Sequence, residues 1–285
     1  MKEFKNKVAV ITGGANGIGL EIAKESVRRG MKVVIADCDM NAMAKAEEVL
    51  KSMNADYLAL EMDVTLFEEM ERLAREAVAK YGQVDLFFNN AGVAVGGPIW
   101  ELPVKDIDYV IQSNLYSVCY GLKVFIPLME AQGTPAHIVN TASVAGLVVA
   151  SGMPSYFMTK HANVVLSEST HYQLQERNSN VKLSVYCPGY IQTDLHHCQF
   201  KRPERFAMDE SDPYYQSETF KMGLETARFV VETGIPADSV GMMVFQAIEE
   251  ERFYILTHPQ YLPIAGMRVK GIMDGKNPDI NLLKR

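Results

Sequence analysis

Three residues of the chain could together move a proton to or from an alcohol oxygen: Ser143, Tyr156 and Lys160. A free tyrosine has a pKa of about 10, so phenolate is scarce at neutral pH. Tyr156 and Lys160 stand at i and i+4, on one face of the helix that their surroundings predict. An ammonium one turn away stabilises phenolate and lowers the phenol's pKa. A phenol tuned in this way takes a proton from an alcohol as hydride leaves, or gives one to a ketone in reverse. The Ser143 hydroxyl can hydrogen-bond the substrate oxygen and stabilise charge developing there.

Hydride needs a carrier, and the start of the chain supplies a cradle for one. Thr12-Gly13-Gly14-Ala15-Asn16-Gly17-Ile18-Gly19 joins an apolar run to a helical one. A glycine-rich strand-to-helix turn lets backbone N–H groups approach a pyrophosphate, and the helix N-terminus adds partial positive charge. The spacing is G-x-x-x-G-x-G rather than the common G-x-G-x-x-G. Asp37 follows 18 residues after Gly19, just past the second strand. A carboxylate there accepts hydrogen bonds from both adenosine ribose hydroxyls and repels a 2′-phosphate, which favours NAD over NADP. Asn16 and Cys38 nearby are uncharged, and no basic residue is read beside Asp37. Asp63-Val64 ends the third strand, where adenine would lie, and Asn89-Asn90-Ala91-Gly92 ends the fourth. Small residues at 91–92 permit close approach to a ribose, while an asparagine can tie neighbouring strands together.

Strands alternating with helices must position these groups. Strands are predicted at Val8–Ile11, Val33–Ala36, Tyr57–Glu61, Leu86–Phe88, His137–Thr141, Lys182–Cys187 and Phe253–Thr257. Helices are predicted at Leu20–Arg29, Asn41–Met53, Leu66–Tyr81, much of Ile107–Glu130, Ser155–Arg177, and from Pro236 at N1 to about Glu251. This rhythm means an α/β fold: a doubly wound, Rossmann-type parallel sheet with helices on both faces. The 285 residues read as a single domain with a lid insertion at about 195–235 and a C-terminal extension at about 258–285, left without an element.

The ordered motifs resemble the short-chain dehydrogenase/reductase superfamily, in its short single-domain branch. They are Thr12-Gly13-x-x-x-Gly17-x-Gly19, Asn89-Asn90-Ala91-Gly92, Asn114, Ser143, Tyr156-x-x-x-Lys160 and Pro188-Gly189-x-x-x-Thr193. The resemblance implies an NAD-dependent alcohol dehydrogenase or ketone reductase. Tyr156 would be its general acid/base, Lys160 its ribose-binding and tuning residue, and Ser143 the holder of the substrate oxygen. Asn114 would seat a water linking Lys160 to solvent. Ile191 and Thr193 would bond the nicotinamide carboxamide and present the pro-S hydride face. Gly13, Asn16, Gly17, Ile18, Gly19, Asp37, Asp63, Val64, Asn90, Ala91 and Gly92 would complete the NAD site. The chain departs from the family pattern at Phe157-Met158-Thr159, where small residues are usual, and in its long lid and tail.

The lid carries Phe200, Phe206, Tyr214, Tyr215 and Phe220, opposite Val93–Trp100 and Val144–Val149. An apolar pocket over the nicotinamide is therefore expected, for a hydroxysteroid, bile acid or terpenoid-like substrate. The alternatives are an NADPH-dependent carbonyl reductase, a non-catalytic NAD-binding sensor or scaffold, and a nucleotide-sugar epimerase. The last needs a larger C-terminal domain than remains.

Twenty-eight Lys+Arg against 35 Asp+Glu leave a net charge of −7, which argues against nucleic-acid partners. No apolar run approaches the roughly 20 residues of a membrane helix, and Val8–Ile11 is too short for a signal core. The four scattered cysteines fit a reducing cytoplasm. His196 and His197 have no carboxylate or cysteine spacing that supports a metal site and read as loop histidines, so no metal is expected. A homodimer or homotetramer is expected by analogy, through the helices near 107–130 and 155–177.

Overall fold

The computed structural model describes residues 1–280. Seven strands are present: β1 (Val8–Thr12), β2 (Lys32–Asp37), β3 (Tyr57–Glu61), β4 (Leu86–Asn89), β5 (Ala136–Thr141), β6 (Val181–Cys187) and β7 (Tyr254–Leu256). All pair in parallel, in the order β3-β2-β1-β4-β5-β6-β7. The order reverses between β1 and β4, and the carboxyl ends of the strands there form the crevice in which open α/β sheets bind ligands.

The strands are apolar at nearly every position because both faces are covered. Side chains alternate across the pleat. Ile11, Ile35 and Phe88 meet Ile22 of α1 (Gly17–Arg28), Met43 of α2 (Met40–Ser52) and Phe245 of α9 (Val240–Glu249) on one face. Val10, Val34 and Phe87 meet Met70 of α3 (Phe67–Tyr81), Phe125 of α5 (Ser117–Gln132) and Leu174 of α6 (Pro154–Glu176) on the other.

Three elements differ from expectation. Helix α1 begins at Gly17 rather than Leu20, because the Asn16 side chain caps it by accepting from the Gly17 N–H at 2.7 Å. The glycine turn and the first helical turn therefore overlap. The long helix expected across 107–130 is divided into α4 (Val104–Ile111) and α5 by a π-helical turn over Gln112–Tyr116. That turn shifts the hydrogen-bond ladder at Asn114, whose carbonyl accepts from Asn163 Nδ2 at 2.9 Å. Pro236 does not start a helix. It caps a 3₁₀ turn at Ala237–Ser239, and α9 begins three residues later.

The lid contains α7 (Pro213–Gln216) and α8 (Glu218–Glu232), and the tail forms α10 (Leu262–Met273). Part of the predicted extension, residues 281–285, lies outside the described residues.

His137 carries a pH-dependent share of the stability. It is buried in β5, with Nε2 2.8 Å from Ser184 Oγ. The Ser184 proton is committed to the Arg252 carbonyl at 2.7 Å, so Nε2–H donates to Ser184. Burial pushes the imidazole pKa down to about 3. The folded chain therefore keeps His137 neutral while the unfolded chain protonates it below about 6.5. This contribution is complete above that pH and is lost towards about pH 3, with a slope of up to about 1.4 kcal/mol per pH unit. Urea unfolding between pH 7.5 and 4.5 should show a flatter pH dependence in His137→Gln than in the unsubstituted chain. Equal slopes would refute the assignment.

Candidate active site

The glycine turn closes on itself too tightly for side chains. Gly13 has φ +62°, and a Cβ there would stand 2.9 Å from Ala91 Cα. A Cβ on Gly19 would stand 2.0 Å from the Gly13 carbonyl oxygen and 2.7 Å from Asn90 Nδ2. Asn90 locks the turn by donating from Nδ2 to the Thr12 and Gly13 carbonyls at 3.1 and 3.2 Å. Thr12 Oγ1 accepts from the Asn90 and Ala91 N–H groups at 3.0 and 3.2 Å. Asn89 does the strand-tying that was expected, donating from Nδ2 to Asn140 Oδ1 at 3.1 Å. The Gly17 N–H is taken by the Asn16 side chain, and the Leu20 N–H bonds the Asn16 carbonyl at 3.2 Å. The N–H groups of Ile18 and Gly19 thus face the mouth of the turn, as the open end of a helix dipole does.

Asp37 sits behind this turn. Its carboxylate accepts from the Ala15 N–H at 3.2 Å and the Asp39 N–H at 3.1 Å. Burial raises its pKa, and these backbone bonds oppose the rise. Asp63 accepts from the Thr65 N–H at 2.9 Å, a strand-end turn, and Val64 lies half-buried against the apolar layer. On the opposite side, Ile191 is buried and bridges to Ile235. Thr193 abuts the glycine turn, since a Cβ on Gly17 would stand 3.0 Å from Thr193 Cβ. Gly13, Gly17, Gly19, Asp37, Asn90, Ala91 and Thr193 are thus brought together around the glycine turn.

Ser143, Tyr156 and Lys160 converge beside it. Ser143 follows β5, and its hydroxyl lies 3.3 Å from the Pro188 carbonyl, accepts from the Ala145 N–H at 3.1 Å, and is near enough to the Tyr156 phenol to act on its pKa. The Lys160 ammonium is buried, donates to the Thr141 carbonyl at 3.1 Å, and stands 5.6 Å from the centre of the Tyr156 ring. A Cβ on Gly92 would lie 3.2 Å from Asn114 Oδ1 and 3.3 Å from Lys160 Nζ, so glycine makes room for both. Asn114 holds the next segment in place, accepting from the Val93 N–H at 2.8 Å and donating to the Val93 carbonyl at 2.9 Å.

The electrostatics differ from the expected lysine-acidified phenol. Burial pushes the Tyr156 phenol up to about 12, with the nearby Ser143 hydroxyl opposing the rise. Burial pushes the Lys160 ammonium down to about 8. The ammonium points at the Thr141 carbonyl and faces the ring, so in this state Tyr156 is a protonated phenol.

The lid supplies groups that sequence reasoning missed. Cys198 Sγ accepts from the Ala94 N–H at 3.2 Å and donates to its carbonyl at 3.3 Å, closing over the segment that Asn114 holds from the other side. The expectation that no cation stands near Asp37 is corrected: the lid brings Lys201 Nζ to 2.9 Å from Asp39 Oδ2. The same ammonium is bonded to Asp194. Arg205 lies 3.6 Å from Asp63. The run Phe200-Lys201-Arg202-Pro203-Glu204-Arg205 is a basic cluster that could have drawn attention, but its target is set by the chain path.

The lid aromatics prove to be largely a core of their own. Phe206, Tyr214 and Tyr215 are buried with Val95, Leu102 and Tyr109. Asp194, His196 and His197 lie within ligand reach of one another, so a carboxylate does accompany the histidines, contrary to the sequence reading. That carboxylate is already engaged by Lys201 and His197 and by Asn16 Nδ2 at 3.3 Å.

Comparison with known proteins places this geometry among relatives. A family model described as short chain dehydrogenase matches residues 7–204. A CLA biosynthesis dehydrogenase/reductase of Lactiplantibacillus plantarum is 44% identical over 99% of both chains. A 1-deoxy-11-beta-hydroxypentalenate dehydrogenase of Streptomyces exfoliatus is 32% identical, over 90% of this chain and 84% of its own. The crystal structure of a short chain dehydrogenase/reductase from Burkholderia phymatum in complex with NAD superposes with a TM-score of 0.94 at 37% identity, covering 98% of each chain.

Proposed function

The chain belongs to the short-chain dehydrogenase/reductase family, and from that premise we propose that it interconverts a bulky hydrophobic secondary alcohol and its ketone, with NAD as hydride carrier. The observation that carries this reading is the convergence of Ser143, Tyr156 and Lys160, with the lysine ammonium 5.6 Å from the centre of the Tyr156 ring. The cofactor, when bound, accepts or supplies the hydride and, in its oxidised form, brings a positive ring charge to the crevice.

The chain's own groups do the rest. Asp37, ringed by N–H donors and set behind the turn, suits ribose hydroxyls and repels a 2′-phosphate. Gly13, Asn16, Gly17, Ile18 and Gly19 admit the pyrophosphate, with Asn90, Ala91 and Gly92 as the neighbouring wall. Asp63 and Val64 would flank the adenine, and Ile191 and Thr193 the nicotinamide. Ser143 orients the substrate oxygen. Tyr156, protonated at rest, donates to that oxygen in ketone reduction and must lose its proton to accept one in oxidation. Oxidation therefore gains with rising pH, while reduction is supported at neutral pH. Lys160 and Asn114 hold the path by which that proton is replaced.

Hydrophobic substrate preference is supported by exposed apolar side chains on the segments that follow β4 and β5. Ile99, Trp100 and Val149 are exposed near the point where the Gly97 N–H bonds the Gly152 carbonyl at 2.7 Å. The Streptomyces relative, named for a hydroxypentalenate substrate, points the same way. Met158, Val165 and Tyr172 of α6 are exposed, and we take that face as the contact for a second copy in a homodimer or homotetramer. The cysteines of the described residues are all free, in keeping with a cytoplasmic setting.

A panel of hydroxysteroids, bile acids, terpenoid alcohols and small polyols, followed by NADH absorbance, tests the proposal. Turnover of apolar alcohols is expected, with NAD favoured over NADP by at least about tenfold, the cost of one repelled charged contact. Turnover of the polyols alone, or an NADP preference, would reject the corresponding half. Cofactor binding with no turnover of any compound would favour the sensor reading.

A further inference from the structure

The segment Leu195–Phe206 does more than roof the substrate side. It runs from beside the cap of α1, past the end of β2, to the turn after β3. At one end Asp194 accepts from Asn16 Nδ2, the residue that caps α1. In the middle Lys201 bonds Asp194 on one bank and Asp39 on the other. Asp39 caps α2, accepting from the Asn41 and Ala42 N–H groups, and it donates its own N–H to Asp37. Further along, Cys38 Sγ lies 3.9 Å from the Lys201 carbonyl. Arg205 reaches Asp63 and Thr65 at the adenine end and Gln112 Oε1 at 3.1 Å. Four carboxylates thus rim the mouth through which an anionic dinucleotide must enter: Asp37, Asp39, Asp63 and Asp194. Two lid cations, Lys201 and Arg205, stand among them.

We propose that Lys201 is a cofactor-binding residue, a lid lysine whose ammonium faces the dinucleotide's pyrophosphate, with Arg205 closing over the adenosine end. The inference rests on the dinucleotide reading of the glycine turn. Carboxylates alone along this rim would repel the two phosphate charges. A cation held between Asp39, the cap of α2, and Asp194, the partner of the α1 cap, offsets them and draws the lid down onto the cofactor. The lysine is held between two acceptors, so it reaches a phosphate by a small side-chain shift from where it already stands. The lid that carries it also carries Cys198 at the substrate segment, so the same loop reads both cofactor and substrate.

Calorimetric titration of the intact chain with ADP-ribose and with NADH tests this without any turnover. Lys201→Met is expected to weaken both ligands equally, by about ten- to a hundredfold, the range for a charge-assisted hydrogen bond. Lys201→Arg should restore most of the affinity. The Lys201→Met variant should also show a weaker dependence of affinity on salt, since one charge facing the phosphates is gone. Chymotrypsin cleavage at Phe200 and Phe206 should be suppressed by ADP-ribose in the unsubstituted chain and not in Lys201→Met. Unchanged ADP-ribose affinity would overturn the proposal. So would a weakened affinity with an unchanged salt dependence, which makes the lysine a mere latch of the lid. If the unsubstituted chain itself failed to bind ADP-ribose, the dinucleotide reading would fall, and this inference with it.

Discussion

Tyr156→Phe is expected to lower kcat for alcohol oxidation and ketone reduction by about a thousandfold, within the 10²–10⁴ range of a positioned acid or base. The substitution removes one oxygen and leaves the ring that Lys160 faces at 5.6 Å, so packing of α6 is preserved. What is lost is the phenolic proton beside the Ser143 hydroxyl. Because burial holds the phenol protonated up to about pH 12, oxidation by the unsubstituted chain should climb with pH through the neutral range. Bound oxidised cofactor, carrying positive charge, moves that climb to lower pH. The residual rate of Tyr156→Phe should be flat where the parent climbs. Steady-state rates in both directions between pH 6 and 10 are the measurement. A rate within about threefold of the parent would remove the phenol from the mechanism.

Arg202→Met is expected to release the lid. The Arg202 guanidinium and the Asp106 carboxylate are both almost wholly buried and bonded to each other, with a second contact at 3.2 Å. Tyr215 donates to the same carboxylate at 2.6 Å, and the guanidinium lies 5.0 Å from the centre of the Tyr109 ring. Removing one partner leaves an uncompensated buried charge, at a cost of about 3–5 kcal/mol. The lid joins the sheet at its two ends, so the cost falls on local opening rather than on the parallel sheet. Chymotrypsin cleavage near residues 200–206 should accelerate by about 10²–10³, while the urea midpoint of the helical signal moves much less. The double variant Arg202→Met, Asp106→Leu removes both charges and should recover much of the protection, because an apolar pair of similar size is tolerated where half an ion pair is not. Cleavage at the parent's rate in Arg202→Met would show that the pair does not hold the lid.

Much of this protein was legible before any coordinates. Alternating apolar runs and helical periods announce βαβ units, because strands buried on both faces must be apolar throughout, as Val8–Thr12 is. Glycines 13 and 19 mark a turn where a Cβ would collide with backbone, Gly17 adopts a positive φ, and one-residue constraints of this kind are local enough to read in a string of letters. The i, i+4 spacing of Tyr156 and Lys160 places both on one helix face for the same reason. Asn114 needed the family pattern. Its use depends on a π-helical turn, whose extra residue has no compositional signature, and on Val93, Thr159 and Asn163 arriving from distant segments.

The sequence by itself determined the periodic and local features: the parallel sheet, the glycine turn, the placing of Tyr156 and Lys160 on one helix and the acidic residue at the end of β2. Each depends on neighbours a few residues away, where backbone geometry is nearly fixed. Tertiary structure alone decided where the lid lies, that its aromatics pack chiefly on one another, and that Lys201 reaches Asp39 and Asp194. It also decided the state of the phenol, since burial outweighs a cation directed elsewhere. Contacts across 162 residues, as between Asp39 and Lys201, follow from the path of an irregular loop, and charge states follow from solvent excluded by all its neighbours together. Neither is encoded in any short stretch of the chain.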